Sequence, residues 1–232
     1  MIKIFAFILI IGTILLALVT GFRLVLLKIQ VTTFRTHWIK RVAEKPAEDD
    51  FIYVALGDSA AQGLGASNPE KGYVGLVAKH IEETTGKHVH VINLSVSGAK
   101  IRDVINVQLP LIKKLPRVDL VTVEAGANDV GGFEEVKYRA DATELAGLLP
   151  ANTYVADGPS FKGTRKNSWD DTSRQAAGVM AEAVQARGDL KLARLYDKTK
   201  GQGIADFAAD FFHPNNRGYK NWAAAFIEAI KQ

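Results

Sequence analysis

Cysteine is absent from the 232 residues, which excludes disulfide bonds, thiolate zinc or iron–sulfur sites and a cysteine nucleophile. The absence says nothing about redox compartment. There is no HExxH pattern or comparable carboxylate–histidine cluster, and no GxxxxGK phosphate loop. Gly126-Ala127-Asn128 is too slight to be a dinucleotide fingerprint. Neither a metal nor a cofactor is therefore expected. A basic surplus is missing where it would matter. The net charge is +4, but residues 1–45 carry seven basic side chains against Glu44 alone, which leaves 22 basic and 24 acidic residues, or −2, for the remainder. A globular part of that charge lacks the electrostatic footprint of a nucleic-acid-binding protein, and no nucleic-acid partner is expected. Low complexity and internal repeats are absent as well. With 47% hydrophobic and 23% charged residues, the chain has the composition of a folded protein rather than a disordered or fibrous one.

Long apolar runs are lacking with one exception. Ile4 to Phe22 is uncharged and bracketed by Lys3 and Arg23, close to the roughly 20 residues that cross a bilayer as a helix. A secretory signal has a shorter apolar region followed by a small-residue cleavage site, and no convincing A-x-A follows here. Residues 1–22 are accordingly read as an uncleaved membrane anchor; a cleaved signal and a buried helix are the alternatives. Residues 23–50 mix basic and apolar side chains before breaking at Pro46. They read as a juxtamembrane stalk and linker, with Trp38 at the membrane interface or on a plain solvated helix.

From Phe51 onward, short runs rich in Val, Ile and Leu alternate with segments of helical period. Strands are expected at 51–56, 89–94, 118–123, 153–156 and 190–195. Helices are expected at 73–85, 101–115, 138–149, 171–187 and 215–230, with Gly86 as a stop and Pro110 as a kink. This alternation predicts one α/β domain over residues 51–232, a five-stranded, mainly parallel sheet covered by helices on both faces.

Open parallel sheets bind ligands beyond the carboxyl ends of their strands. There the chain carries Gly57-Asp58-Ser59, Ser97-Gly98 and Asn128-Asp129, and, after the fifth run, Asp210-Phe211-Phe212-His213. Ser59, at a strand-to-helix turn, is a nucleophile candidate or else a helix N-cap. His213 is the best placed of five histidines to act as its base. His37 lies in the stalk, His80 within a helical pattern, and His88 and His90 at a strand. Asp210, three residues earlier, can reach the imidazole; a solvated loop with a capping Asp is the plainer reading. Gly98 and Asn128 supply the backbone and amide donors that acyl transfer requires, or ordinary turn chemistry. Their convergence at one end of one sheet favours the chemical reading.

These four blocks, GDSAAQG, NLSVSGA, GANDV and DFFHPNNRGY, resemble those of the SGNH hydrolases, also called GDSL esterases and lipases. The resemblance runs from Phe51 to Gln232 in the family's block order. It implies a three-layer α/β/α sandwich of flavodoxin-like type and a serine ester hydrolase working without a cofactor. It further implies Ser59 as nucleophile, His213 as base and Asp210 as the acid of the triad, with Ser59 N–H, Gly98 N–H and the Asn128 amide as the oxyanion hole. Ala60 stands where the family name has leucine. The stretch from Gly131 to Ala209 matches no block and is expected to set specificity. The substrate implied is a lipid, short-chain acyl or acetylated-glycan ester. Acyl or acetyl transfer by the same triad, and a tethered binding module without activity, are the alternatives.

Charge counting opposes Lys3 to Arg23, Lys28, Arg35, Lys40 and Arg41, which by the positive-inside rule leaves the domain cytoplasmic. A lone lysine before a long apolar stretch also resembles an export signal, and the family resemblance often accompanies surface-facing enzymes; the extracytoplasmic side is the expectation adopted. Since every candidate site residue follows Phe51, residues 1–45 are expected to be dispensable for folding and activity.

Overall fold

The computed structural model describes residues 2–231; Met1 and Gln232, the outermost residues of the expected anchor and catalytic segments, lie outside the described residues. Five strands, β1 (Phe51–Gly57), β2 (Val89–Asn93), β3 (Leu120–Glu124), β4 (Tyr154–Ala156) and β5 (Lys191–Ala193), form one sheet in the order β2-β1-β3-β4-β5. All four pairings are parallel, with Tyr53 opposite both Val91 and Leu120. The expected three-layer α/β/α sandwich is therefore present, with parallel strands throughout.

Alternation along β1 divides the interior. Ile52, Val54 and Leu56 point to one face, where they meet Ile101, Leu145 and Met180. Tyr53 and Ala55 point to the other, against Tyr73, Tyr219 and Phe226. The first layer is built from α3 (Ile101–Asp103), α4 (Leu109–Ile112), α5 (Glu135–Leu148) and α6 (Asp170–Arg187). The second contains α2 (Tyr73–Thr85) and α8 (Gly218–Ile230), held together by the Tyr73–Phe226 stack with ring centroids 5.0 Å apart. A short α7 (Leu195–Thr199) begins at Leu195, a residue expected to end the last strand.

Two helices differ instructively from their sequence pattern. The one expected at 101–115 is interrupted between α3 and α4 by a wider π turn, Val104–Gln108, in which Leu109 N–H bonds to the Val104 carbonyl. Pro110 follows at once; it lacks an N–H and crowds the preceding turn, and the wider turn accommodates it. The helix expected from Asn215 starts at Gly218 because the Asn215 Oδ1 accepts hydrogen bonds from Arg217 and Gly218 N–H, which makes Asn215 a cap rather than a helical residue.

The largest departure is at the amino end. Helix α1 (Ile2–Ala43) runs unbroken from the apolar run through the expected stalk. Trp38 is buried, in the same cluster as Tyr53 and Tyr73, and its Nε1–H donates to the Gln62 carbonyl at 3.0 Å. Gln30 brackets Gly65 and Ala66: its Oε1 accepts from Gly65 N–H and its Nε2 donates to the Ala66 carbonyl, each at 3.0 Å. Trp38 thus belongs to the protein core and not to the membrane interface, because α1 packs beside α2 against the edge strand β2 and buries the indole there. The expectation that residues 1–45 are dispensable changes accordingly. Trp38→Ala is expected to lower the unfolding free energy by about 3–5 kcal/mol, measured by denaturant titration. A chain starting at residue 24 should keep the melting temperature of the domain and one starting at residue 46 should not; equal stability of the two would mean that α1 merely rests on the surface.

Candidate active site

The loop after β1 is pinned at its first residue. A Cβ on Gly57, at φ +149°, would lie 2.4 Å from the Glu124 carbonyl oxygen, so no other residue fits between β1 and β3. Gln108 clamps the same residue, its Oε1 accepting from Gly57 N–H at 2.9 Å and its Nε2 donating to the Gly57 carbonyl at 2.8 Å. From this point the chain turns sharply through Asp58, Ser59, Ala60 and Ala61, secured by Asn93 Nδ2 donating to the Ala61 carbonyl at 2.7 Å. Ser59 is left at the carboxyl edge of the sheet with its side chain turned into a cleft.

The loop between α7 and α8 meets it there. Phe207 and Pro214 pair as an antiparallel bridge, and Ala208 N–H bonds to the His213 carbonyl at 2.8 Å. The tip of this loop brings His213 Nε2 to 3.0 Å from Ser59 Oγ. On the other side of the ring, Nδ1 lies 2.7 Å from Asp210 Oδ2, while Asp210 Oδ1 accepts from the N–H groups of Phe212 and His213. Burial pushes the Asp210 carboxyl up, but the hydrogen bond and charge of His213 and the two N–H groups outweigh it and hold the group below its ordinary range. An ionised Asp210 is an acceptor only, so the Nδ1 beside it carries the hydrogen. Nε2 then presents its lone pair to the serine hydroxyl.

Asn128 reaches the site from the loop after β3. Its Nδ2 donates to Asp58 Oδ2 at 2.7 Å and to the Ala99 carbonyl at 3.0 Å, so both amide hydrogens are committed in this state. Gly98 stands apart. Its φ is +81°, it is exposed, and it borders a separate hollow with Val107 and Gln108 rather than the Ser59 cleft. Among the described residues, neither Ser59 N–H nor Gly98 N–H has an acceptor. His88 pairs with Asp50 at 2.9 Å and His90 is buried in β2, both far along the strands from the carboxyl edge. No group of three or more His, Cys, Asp or Glu side chains that could hold a metal occurs among the described residues.

The sequence pattern missed the support beneath these residues. Asp58 accepts from Ala60 N–H at 2.8 Å as well as from Asn128, which ties the nucleophile loop to the Asn128 loop. Beside it lies Glu124, fully buried at the end of β3, and burial drives both carboxyls upward, Glu124 well above its usual range. As two carboxylates they would have no donor between them. A proton held on Glu124 supplies it and lets Asp58 stay the acceptor for Asn128 and Ala60. An acid inside a β-rich run such as LVTVE is the one sequence signal that could have marked Glu124. The cleft itself draws on the stretch from Gly131 to Ala209, with Ser160, Phe161, Thr164, Gln202 and Phe207 among its walls. Phe161 stacks on Phe212 with centroids 5.7 Å apart, and Phe212 meets the His213 ring edge-on. The cleft beside Ser59 is narrow and partly open to solvent, with about 30 Å³ accessible to water-sized groups.

The model of the GDSL-like Lipase/Acylhydrolase family matches residues 55–220. No curated protein matches by sequence. Among solved structures, an alpha/beta hydrolase enzyme from the metagenome of Lake Arreo, Spain, is 20% identical with a TM-score of 0.63, over 78% of this chain and 95% of that one. The acetylxylan esterase Axe2 from Geobacillus stearothermophilus is 19% identical with a TM-score of 0.61, over 80% of this chain and 97% of that one. At such identities the likeness is one of fold.

Glu124 has a raised pKa in the folded state, so its contribution to stability is complete below the unfolded value near 4.5 and is lost as pH climbs toward the folded value. Glu124→Gln removes that titration and leaves an amide donor facing Asp58. The variant's melting temperature relative to the wild type should therefore increase between pH 4 and pH 8. A difference that stays constant with pH would mean that Glu124 is not the proton carrier of the pair.

Proposed function

Because the chain belongs to the GDSL-like Lipase/Acylhydrolase family, we propose that it is a membrane-anchored serine hydrolase that cleaves a short-chain carboxylic ester through an acyl-enzyme. The observation that carries this reading is the hydrogen-bonded row from Ser59 Oγ through His213 to Asp210. His213 Nε2 takes the hydroxyl proton as Ser59 Oγ adds to the ester carbonyl, and Asp210 stabilises the imidazolium that results. The same proton passes from Nε2 to the leaving alcohol as the C–O bond breaks. Water then adds to the acyl-Ser59 ester with His213 again as base, which releases the acid and restores the serine.

The negative charge on the tetrahedral oxygen requires donors. Ser59 N–H is free for it; Gly98 N–H is free too but faces the separate hollow, so it would contribute only after its turn shifts toward Ser59. Asn128 would join them by giving up its longer hydrogen bond, to the Ala99 carbonyl, while Asp58 keeps the amide oriented. No step calls for a cofactor. The small space walled by Phe161, Phe207 and Phe212 supports an acyl group of acetyl size, whether from an acetylated glycan or another short-chain ester. Residues 4–22 would serve as anchor, the remainder of α1 as a rigid bracket and residues 51–232 as the catalytic part.

The direct test is fluorophosphonate labelling of the full chain with Ser59→Ala as control, followed by turnover of p-nitrophenyl esters of increasing acyl length. Labelling is expected to depend on Ser59, and turnover to fall steeply beyond short acyl groups. Ser59→Ala and His213→Ala should each remove nearly all turnover, because the two act as one unit. Asn128→Ala should lower kcat by roughly 10²–10³ with a smaller change in KM. Wild-type turnover by a folded Ser59→Ala chain would end the assignment, and a change in KM alone would make Asn128 a ground-state contact.

For the location outside the cytoplasm, protease added to intact cells should digest the catalytic part. Protection until lysis would reverse the topology without touching the chemistry.

A further inference from the structure

Helix α1 is docked with a definite direction, and that direction has a consequence for the site. Near its carboxyl end, Trp38 and Arg41 border a hollow shared with Val89 and Val91 of β2, at the edge where strands begin. Toward its amino end, Gln30 grips Gly65 and Ala66, which follow the carboxyl end of β1. α1 therefore runs antiparallel to the strands, and following it back toward the apolar run leads past the catalytic edge of the sheet and not away from it. From Gln30 to Phe22 is roughly 12 Å at about 1.5 Å per residue. The carboxyl edge, with Ser59 and the loop that carries His213, is the part of the domain nearest to the segment that is long and apolar enough to cross a membrane.

The surface at that edge agrees. A groove of about 510 Å³ separates α1 from the domain, with Arg23, the first residue after the apolar run, and Arg217 on its walls and Leu26 and Leu27 along its side. Phe207 closes its inner end and also forms part of the Ser59 cleft. The loop around it exposes two large apolar side chains, Ile204 at 71% and Phe211 at 45%. Phe211 is held outward by a backbone at φ +52°, a conformation that bulky residues rarely adopt, with its carbonyl bound to Arg165 N–H at 2.7 Å. Basic side chains beside exposed apolar ones, at the level where an apolar helix ends, match a lipid–water interface.

We infer that the partner of the catalytic edge is the bilayer itself: α1 holds the mouth of the Ser59 cleft against the lipid surface, so that the ester is supplied by a molecule seated in or on the membrane. The inference rests on the anchor reading of residues 4–22 and adds to it a fixed orientation. A tether on a flexible linker would leave the cleft free to face any direction, whereas the Gln30 and Trp38 contacts make α1 and the site one body.

The absence of cysteine allows the test to be made with unique labels. Phe211→Cys and Ile204→Cys place a fluorophore at the catalytic edge. Leu148→Cys places one of equal wild-type exposure, 45%, at the end of α5 just before β4 begins, on the opposite edge. The full chain is reconstituted in phosphatidylcholine–phosphatidylglycerol vesicles and recovered by flotation. Spin-labelled phospholipid is expected to quench the Phe211 and Ile204 labels several-fold more than the Leu148 label, and aqueous iodide the reverse. Equal quenching of all three in chains that float with the vesicles overturns the orientation while leaving the anchor intact. Failure to float overturns the anchor and the orientation together. Quenching as expected without ester turnover supports the orientation and counts against the hydrolase reading alone.

Discussion

At Gly57 the backbone of β1 passes so close to the Glu124 carbonyl that a side chain cannot be placed between them, and Gln108 holds the same residue by two hydrogen bonds. Most of the site depends on this contact. It allows β1 to end in a turn tight enough to put Ser59 at the edge of the sheet while Tyr53 to Leu56 remain fully buried. Of its apolar side chains, the loop that follows buries Leu64 and otherwise only the small ones of Ala60, Ala61 and Ala66. Its position comes from hydrogen bonds with elements distant in sequence: Asn93 on Ala61, Gln62 on the Ser95 carbonyl, Trp38 on Gln62 and Gln30 on Gly65. A serine held in this way keeps its hydroxyl aligned with an imidazole from the other end of the chain, and alignment of this kind is a large part of catalysis.

Beneath the nucleophile the interior is polar in a place where burial is severe. Asp58 and Glu124 lie side by side there, and burial raises both carboxyls, Glu124 the further, so that a proton on Glu124 would be the donor between them. Asp58 can then act as the common acceptor for Ala60 N–H and Asn128 Nδ2, joining the loops after β1 and β3. Removing either partner would leave a buried group without its hydrogen bond, which costs more than the bond itself contributes. The pair is thus a structural link between the residue proposed to attack and the amide proposed to steady the charge that results.

The amino-terminal helix changes how the molecule is divided. Leu9, Leu18 and Phe22 of its apolar part are exposed, while Trp38 in its second half packs against the edge strand β2. Membrane attachment and the packing of the nucleophile loop are consequently carried by one continuous element. Gly65 shows how closely the pieces meet, since a Cβ there would lie 2.3 Å from the Pro214 carbonyl oxygen. The loop that α1 grips through Gln30 is the loop against which the His213 segment rests.

The periodicity of the sequence was sufficient for the five strands and for the main helices, because each buries a run whose period of two or 3.6 is set by its own backbone geometry. Position directly after a strand, or on a short loop with turn chemistry, made Ser59, Gly98, Asn128, Asp210 and His213 candidates, and the structure brings Ser59, His213 and Asp210 into one hydrogen-bonded row. Local pattern could not reveal the π turn before Pro110, the capping role of Asn215 or the start of α7 at Leu195, since each depends on which backbone groups find partners. Nor could it assign Trp38. A tryptophan among basic and apolar residues reads the same at a membrane interface as against a protein core, and only the packing of α1 against β2 decides between them. The same holds for Glu124, whose proton is required by an Asp58 that is far away in sequence, and for the direction of α1, which follows from its docking. What the amino-acid order determined by itself were properties carried by neighbouring residues; what the tertiary structure alone decided were those that need two distant segments to exclude water from the same place.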